Sequence, residues 1–338
     1  MSSVSVKASG TIPRVDRYLL PAAGGFLALL VAGRLLGVVD VAPVQTFTII
    51  FTAIAVEALP FMLLGAFASA LIEVYVSDDA LGRITRLPPA LQLPVAALGG
   101  FAFPVCECGS VPVARRLIRR GMHPSAAVGF MLASPIFNPI VLLSTWVAYS
   151  PRGLGGQMVL GRAGLGLVSA LVVGWALGAE GTKELLRVRA DASSEAADHS
   201  HEGTQHKRRA FFEHLTADFF FMGKFLIAGA ALAAGFQTLL PQTLISGLAR
   251  TAVVGTLALM TIAFVSSLCS EADAFVAVSF TQFPLGSQLA FLVFGPVLDM
   301  KLVFLYGATF RKRFVWSLAI VVIPVVVAGS LIFETLVR

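Results

Sequence analysis

The chain has 338 residues, of which 57% are hydrophobic and only 13% charged; a soluble domain carries about 25% charged residues to keep its surface wet, so an ordinary water-soluble domain is excluded. A spanning helix takes roughly 20 apolar residues, which leaves room for about eight to ten spans and none for a large extramembrane catalytic domain. Lys plus Arg outnumber Asp plus Glu by 25 to 19, and in so apolar a chain that excess reads as cytoplasmic-loop bias rather than as a nucleic-acid surface.

The composition predicts an all-α polytopic membrane protein. Residues 1–44 hold a polar, basic tail (Lys7, Arg14, Arg17) and a first apolar helix ending near Val39, with no convincing cleavage site, so it is expected to be retained as a peripheral span. Residues 45–149 contain a long apolar stretch (Gln45 to Val76), a broken segment and a second long stretch (Pro124 to Tyr149). Residues 150–179 supply a connecting span. Residues 180–210 are polar and lack apolar periodicity, the pattern of a disordered cytoplasmic linker. Residues 211–310 repeat the plan of 45–149, with an unbroken last stretch expected from Gly286 to Thr309, and residues 311–338 form a C-terminal span.

The two broken segments are the informative ones. Leu91 to Pro104 and Gly109 to Ile118 are half-spans joined at Cys106-Glu107-Cys108; Arg250 to Leu268 and Asp273 to Phe283 are joined at Cys269-Ser270-Glu271. Non-helical backbone at membrane depth is tolerated only when packed in protein or lining a wet cavity. If both segments turn back as re-entrant hairpins and the N-terminus is cytoplasmic, nearly all loop Lys and Arg fall inside, leaving Arg152, Arg162, Arg250 and Arg338 outside; if both cross, the charges divide evenly. The positive-inside rule favours hairpins. In addition, Phe130-Met-Leu-Ala-Ser134-Pro135-Ile-Phe-Asn138-Pro139 aligns without gaps on Phe291-Leu-Val-Phe-Gly295-Pro296-Val-Leu-Asp299-Met300. The expectation is therefore two inverted repeats, each a helix, a broken re-entrant hairpin and a helix, the plan of secondary transporters with binding at the midplane.

The run Phe103-Pro104-Val105-Cys106-Glu107-Cys108-Gly109-Ser110-Val111-Pro112, then Gly121, then Ser134-Pro135-Ile136-Phe137-Asn138-Pro139 resembles the bacterial predicted-permease family that includes the organoarsenical efflux permease ArsP and the YraQ proteins. So do Cys269-Ser270-Glu271-Ala272-Asp273-Ala274-Phe275 and Gly295-Pro296-Val297-Leu298-Asp299-Met300-Lys301. The resemblance covers both repeats. It implies a multi-pass permease of the bacterial inner membrane, with export of trivalent organoarsenicals as the best-known activity.

Chemistry points the same way. Cys106 and Cys108, two apart, face one side only where the helix is unwound, and Pro104 and Gly109 are expected to unwind it. Paired thiolates favour soft acceptors such as copper(I), zinc and, by the same softness, trivalent arsenic; Cys269 offers a third thiol. Ser134 and Asn138 offer polar backbone and side chains at a proline-broken turn, completing the candidate substrate-binding set. The intramembrane acids Glu57, Glu107, Glu271, Asp273 and Asp299 are candidate proton carriers, because such groups usually face a cavity and serve a function, with Lys301 or Lys224 as a neutralising partner for Asp299. Asp218 reads as solvated, and Arg115, Arg116, Arg119 and Arg120 as anchors to anionic lipid. His199, His201 and His206 in the linker could hold zinc or copper loosely.

No Gly-x-x-x-x-Gly-Lys-Ser/Thr or His-Glu-x-x-His motif occurs, so neither enzymatic activity nor a cofactor is expected. The expected partners are a small-molecule or metalloid substrate and the lipid bilayer, without nucleic acid; self-association is left open. A divalent-metal or oxyanion transporter is the first alternative, and an intramembrane thiol oxidoreductase the second.

Overall fold

The computed structural model describes residues 42–75, 87–102, 105–178, 204–239 and 252–337. The chain divides into two compact units, residues 1–49 and Ile50–Arg338. Of the first, the described residues form only the opening turns of a long helix; all that follows concerns the second. The expected first span, and the linker residues His199 and His201, lie outside the described residues.

The described structure is helical, as an all-α polytopic membrane protein requires. The helices are α1 (Ala42–Tyr75), α2 (Pro89–Ala102), α3 (Glu107–Arg119), α4 (Pro124–Ala133), α5 (Pro139–Tyr149), α6 (Gly155–Gly178), α7 (Thr204–Leu239), α8 (Ala252–Ser266), α9 (Asp273–Ala277), α10 (Leu285–Phe294), α11 (Met300–Thr309) and α12 (Lys312–Val337). Among the described residues, four helices are long and apolar enough to cross a bilayer: α1, α6, α7 and α12. α7 starts at Thr204, so the stretch expected as linker up to residue 210 is helical in its last part, and His206 stands in the first turns of that helix.

Two stretches expected to be continuous are broken instead. Pro124 to Tyr149 divides into α4 and α5, and the second half divides at the matched place into α10 and α11. Proline lacks the N–H that continues a helix and its ring clashes one turn back, so Pro135 with Pro139, and Pro296, halt the ladder. The chain restarts each helix with a side-chain cap: Asn138 Oδ1 accepts from Ile140 N at 2.9 Å, and Asp299 Oδ1 from Leu302 N at 2.7 Å. Both caps are extended, and the residues that end the preceding helices, Ser134 and Gly295, are right-handed helical. The aligned sequences thus adopt the same local turn.

Packing pairs also correspond. α2 packs on α4 as α8 packs on α10, and α4 packs on α6 as α10 packs on α12. α3 packs on α11, while α9 packs on α5. The apolar core runs through these contacts, from Met62 and Met131 to Phe291, Leu302 and Phe314. The turn from α3 to α4 passes through Gly121 at φ +90°, a conformation that glycine adopts without strain.

Candidate functional site

The break after α2 brings Cys106 and Cys108 together. Cys106 is the residue before α3, with extended backbone (φ −69°, ψ 171°); Glu107 opens the helix and Cys108 follows. Because the pair straddles the helix start, the two thiol groups sit next to each other, and both residues are buried. Gly109 does not supply the unwinding expected of it. It lies inside α3, where a Cβ would come 2.8 Å from Gly65 Cα, and one on Gly65 would overlap Gly109 outright. The two glycines let α1 and α3 touch backbone to backbone beside the thiols.

At the second break α8 ends at Ser266, and Ser267, Leu268 and Cys269 run in irregular backbone. Ser267 has φ +49°, a left-handed conformation that costs a non-glycine residue roughly 1 kcal/mol or more. The chain turns there so that the carbonyls of Ser267 and Leu268 point inward, toward the ammonium of Lys301 at 3.0 and 3.3 Å.

Lys301 is the centre of the site and is fully buried. Its Nζ donates to Glu107 Oε1 at 2.7 Å, lies 3.4 Å from Asp299 Oδ2 and lies 3.8 Å from Cys269 Sγ. Ser270 Oγ reaches Glu107 Oε2 at 3.2 Å and Glu271 Oε2 at 3.4 Å. Hence the hydroxyl bridges the glutamates of the two breaks. Glu57, half-buried on α1, is within electrostatic range of Lys301 and Glu107. The breaks around Cys106 and Cys269 therefore converge, and Glu107, Cys108, Cys269, Ser270, Asp299 and Lys301 form one buried cluster with the partly exposed Glu271 at its edge.

Asp273 is held apart from it by a second pair. Arg162 on α6 donates from Nη1 to Asp273 Oδ1 at 2.8 Å and from Nη2 to Oδ2 at 2.7 Å, with further bonds to Thr145 Oγ1 at 2.9 Å and to the Ser270 carbonyl at 3.1 Å. Both side chains are buried. Arg162 is thus an internal counter-ion rather than an external loop residue. The positive-inside count misplaced it because that rule weighs every basic residue near a span end alike, whereas a carboxylate inside the protein drew this one in. Lys301 was identified in the sequence only as a candidate neutraliser; basic residues inside apolar spans carry the same functional signal as acidic ones.

Ser134 and Asn138 lie at the first proline turn, both buried. The Asn138 carbonyl is used by the cap and Nδ2 has no hydrogen-bond partner. Asp299, its counterpart, has the same division: Oδ1 caps α11 and Oδ2 accepts no hydrogen bond.

A further cluster corrects two sequence expectations. Asp218 is not solvated: its Oδ2 accepts from Arg116 Nη2 at 2.7 Å, Arg116 Nε at 3.2 Å and Ser69 Oγ at 2.8 Å. Arg116 also pairs with Glu73 at 3.0 Å, and Arg120 bonds the Glu73 carbonyl. These arginines tie α3 to α1 and α7 instead of anchoring lipid, because two carboxylates lie within reach on the adjoining helices. Among the described residues no group of three or more His, Cys, Asp and Glu is arranged to hold a metal ion.

The profile of a family described as a predicted permease, ArsP_1, matches residues 43–335. The chain belongs to this predicted-permease family. The permease is 40% identical over 286 residues to the UPF0718 protein YcgR of Bacillus subtilis (strain 168), covering 84% of this chain and 96% of that one. It is 32% identical over 267 residues to a putative two-component membrane permease complex subunit of Streptococcus mutans serotype c, covering 79% of this chain and 87% of that one. No solved structure matches the permease. It is a multi-pass membrane permease, and family membership favours transport over enzymatic chemistry.

Proposed function

We propose that this permease moves a soft, thiol-reactive and uncharged solute, such as a trivalent organoarsenical, out across the bacterial inner membrane in exchange for protons. The observation that carries this reading is the convergence of Cys106, Cys108 and Cys269 on the Glu107–Lys301 pair. A monomethylated arsenic(III) has two exchangeable hydroxyls. Two thiols displace them as water, forming two As–S bonds with no net change in charge, so the buried site need not accommodate a new ion.

Charge argues against the divalent-metal alternative. A doubly charged ion about 4 Å from the Lys301 ammonium would be repelled by about 8 kcal/mol at an effective dielectric of 20. Glu107 and Asp273 are already engaged by Lys301 and Arg162, which leaves Asp299, Glu271 and Glu57 to offset part of it. Proton exchange would run through Glu107, Glu271, Asp299 and Glu57 around the thiols, and through Asp273 beside Arg162. The two matched helix breaks support an inverted-repeat plan with re-entrant segments, in which the cluster alternates between the two faces, and the loop charges favour a cytoplasmic N-terminus. The Streptococcus relative's description as a complex subunit supports a partner subunit for this chain as well.

The test is growth of an arsenical-sensitive bacterial strain expressing the permease, challenged separately with methylarsenite, arsenite, zinc and copper. Protection against methylarsenite alone, lost in Cys106→Ala and in Cys108→Ala, is the expected result. Unchanged protection in both variants would refute the thiol mechanism, and protection against zinc would favour the metal reading.

A further inference from the structure

We infer that the Lys301 ammonium is a tethered cation: it fills a cage built for a dissolved alkali ion, and removing the side chain turns the cage into a potassium site. The inference is independent of which solute is carried.

Five acceptors surround the Nζ atom. They are Glu107 Oε1 at 2.7 Å, the Ser267 and Leu268 carbonyls at 3.0 and 3.3 Å, Asp299 Oδ2 at 3.4 Å and Cys269 Sγ at 3.8 Å. An ammonium has three N–H bonds and cannot serve all five; Asp299 Oδ2 accordingly receives no hydrogen bond. A lysine that merely neutralised Glu107 would need one carboxylate and a few stray acceptors. Here two carboxylates and two carbonyls converge from α3, the α8–α9 break and α11, the composition of an oxygen cage around a hard monovalent ion.

The carbonyls are supplied at a cost. α8 stops three residues before Cys269 and Ser267 takes a positive φ, so both carbonyls leave the helix ladder and aim at the ammonium. Unwound carbonyls at the C-terminal end of a half-helix are the usual cation ligands of broken-helix transporters, with the negative end of the helix dipole adding to the attraction. α11 can carry the lysine so deep because Gly229 on α7 lets its backbone approach; a Cβ there would come 2.6 Å from Lys301 Cα. At the aligned position of the first half stands Ile140, which is exposed, so the first half holds no counterpart of this lysine.

An ammonium is close to a potassium ion in size, and its oxygen distances suit potassium better than the smaller sodium ion. The wild-type permease, carrying its own cation, needs neither. The experiment uses the full chain purified in detergent and compares thermal unfolding of wild type, Lys301→Ala and the double variant Lys301→Ala/Glu107→Gln, with KCl, NaCl or choline chloride at constant total salt. Raising KCl about a hundredfold should lift the Lys301→Ala midpoint by at least about 5 °C, with a smaller response to NaCl and none to choline. Wild type should not respond, and the double variant, which lacks the anionic ligand, should lose most of the response. Equal behaviour in KCl and choline overturns the inference, as does a wild-type response as large as the variant's or a full response in the double variant. A Lys301→Ala protein that does not fold even in high KCl also overturns it, since a bound ion should then restore the missing charge.

Discussion

Breaking the Arg162–Asp273 pair gives the sharpest stability test. Both side chains are buried, the contact is two-pronged at 2.8 and 2.7 Å, and Arg162 has two further bonds, to Thr145 and to the Ser270 carbonyl. Removing one partner of such a pair costs about 3–5 kcal/mol, because the other charge is left buried and unmatched. The two single variants should differ. In Asp273→Asn the guanidinium cannot lose its proton, so the loss should reach about 4–5 kcal/mol, or roughly 10 °C in the unfolding midpoint. In Arg162→Met the orphaned carboxyl can escape by taking up a proton, which should hold the loss near about 3 kcal/mol. The double variant Arg162→Met/Asp273→Leu should fall within about 1–2 kcal/mol of wild type, since apolar replacement of a whole buried pair is often neutral. The assay is denaturation of purified protein in a fixed detergent, with a double-mutant cycle closed by the single variants Arg162→Met and Asp273→Leu and an expected coupling of at least about 2 kcal/mol. Single-variant losses below about 0.5 kcal/mol, or additivity to within that margin, would refute the buried-pair argument.

Other outcomes follow from particular contacts. Gly65→Ala or Gly109→Ala should destabilise by about 1–3 kcal/mol through overlap of the α1 and α3 backbones, whereas Gly99→Ala, with open space at its Cβ, should be neutral or slightly stabilising; thermal unfolding in detergent separates them. Asp218→Asn, which weakens bonds to both Arg116 and Ser69, should lower stability clearly more than Glu213→Gln, because the Arg209–Glu213 pair is exposed and such pairs contribute only about 0.3–0.5 kcal/mol. Asn138→Ala removes the cap of α5 and should cost about 0.5–2 kcal/mol; Asn138→Asp keeps the capping oxygen and should retain more of it, measured by the same unfolding assay.

Much of the fold was readable because its signals are local. Long apolar runs gave α1, α6, α7 and α12, and the Cys-Glu-Cys and Cys-Ser-Glu junctions marked where helices stop. The gapless alignment of 130–139 on 291–300 pointed to a duplicated unit, though not to a turn that would divide each apolar stretch completely. That outcome depended on Asn138 and Asp299 acting as caps, which a hydropathy profile does not register. The sequence also showed which acids lie inside apolar segments. It did not show their partners, because pairing is set by helix packing between residues more than a hundred positions apart. Arg162 looked like a loop residue near the start of its span, Asp218 like a solvated one, and Ser270 like an unremarkable neighbour of Cys269; each is assigned only by what the other half of the chain brings against it.

Those distant pairs explain how the two halves hold register. In lipid, apolar faces gain little by leaving the acyl chains for one another, so helix association depends on close packing and on polar contacts. Here the polar contacts run from one half to the other: Glu107 to Lys301, Glu107 to Ser270, Arg162 to Asp273, Arg116 and Ser69 to Asp218, and Tyr149 to Gln288 at 2.9 Å. None can be satisfied if one half slides by a helical turn, because each would leave a charge or a polar group buried without a partner. The arrangement fixes a single register at some expense in stability. It also concentrates the obstacles to rearrangement in a few ion pairs, so a solute that bound beside Lys301 and weakened its hold on Glu107 would loosen the contact that ties α3 to α11.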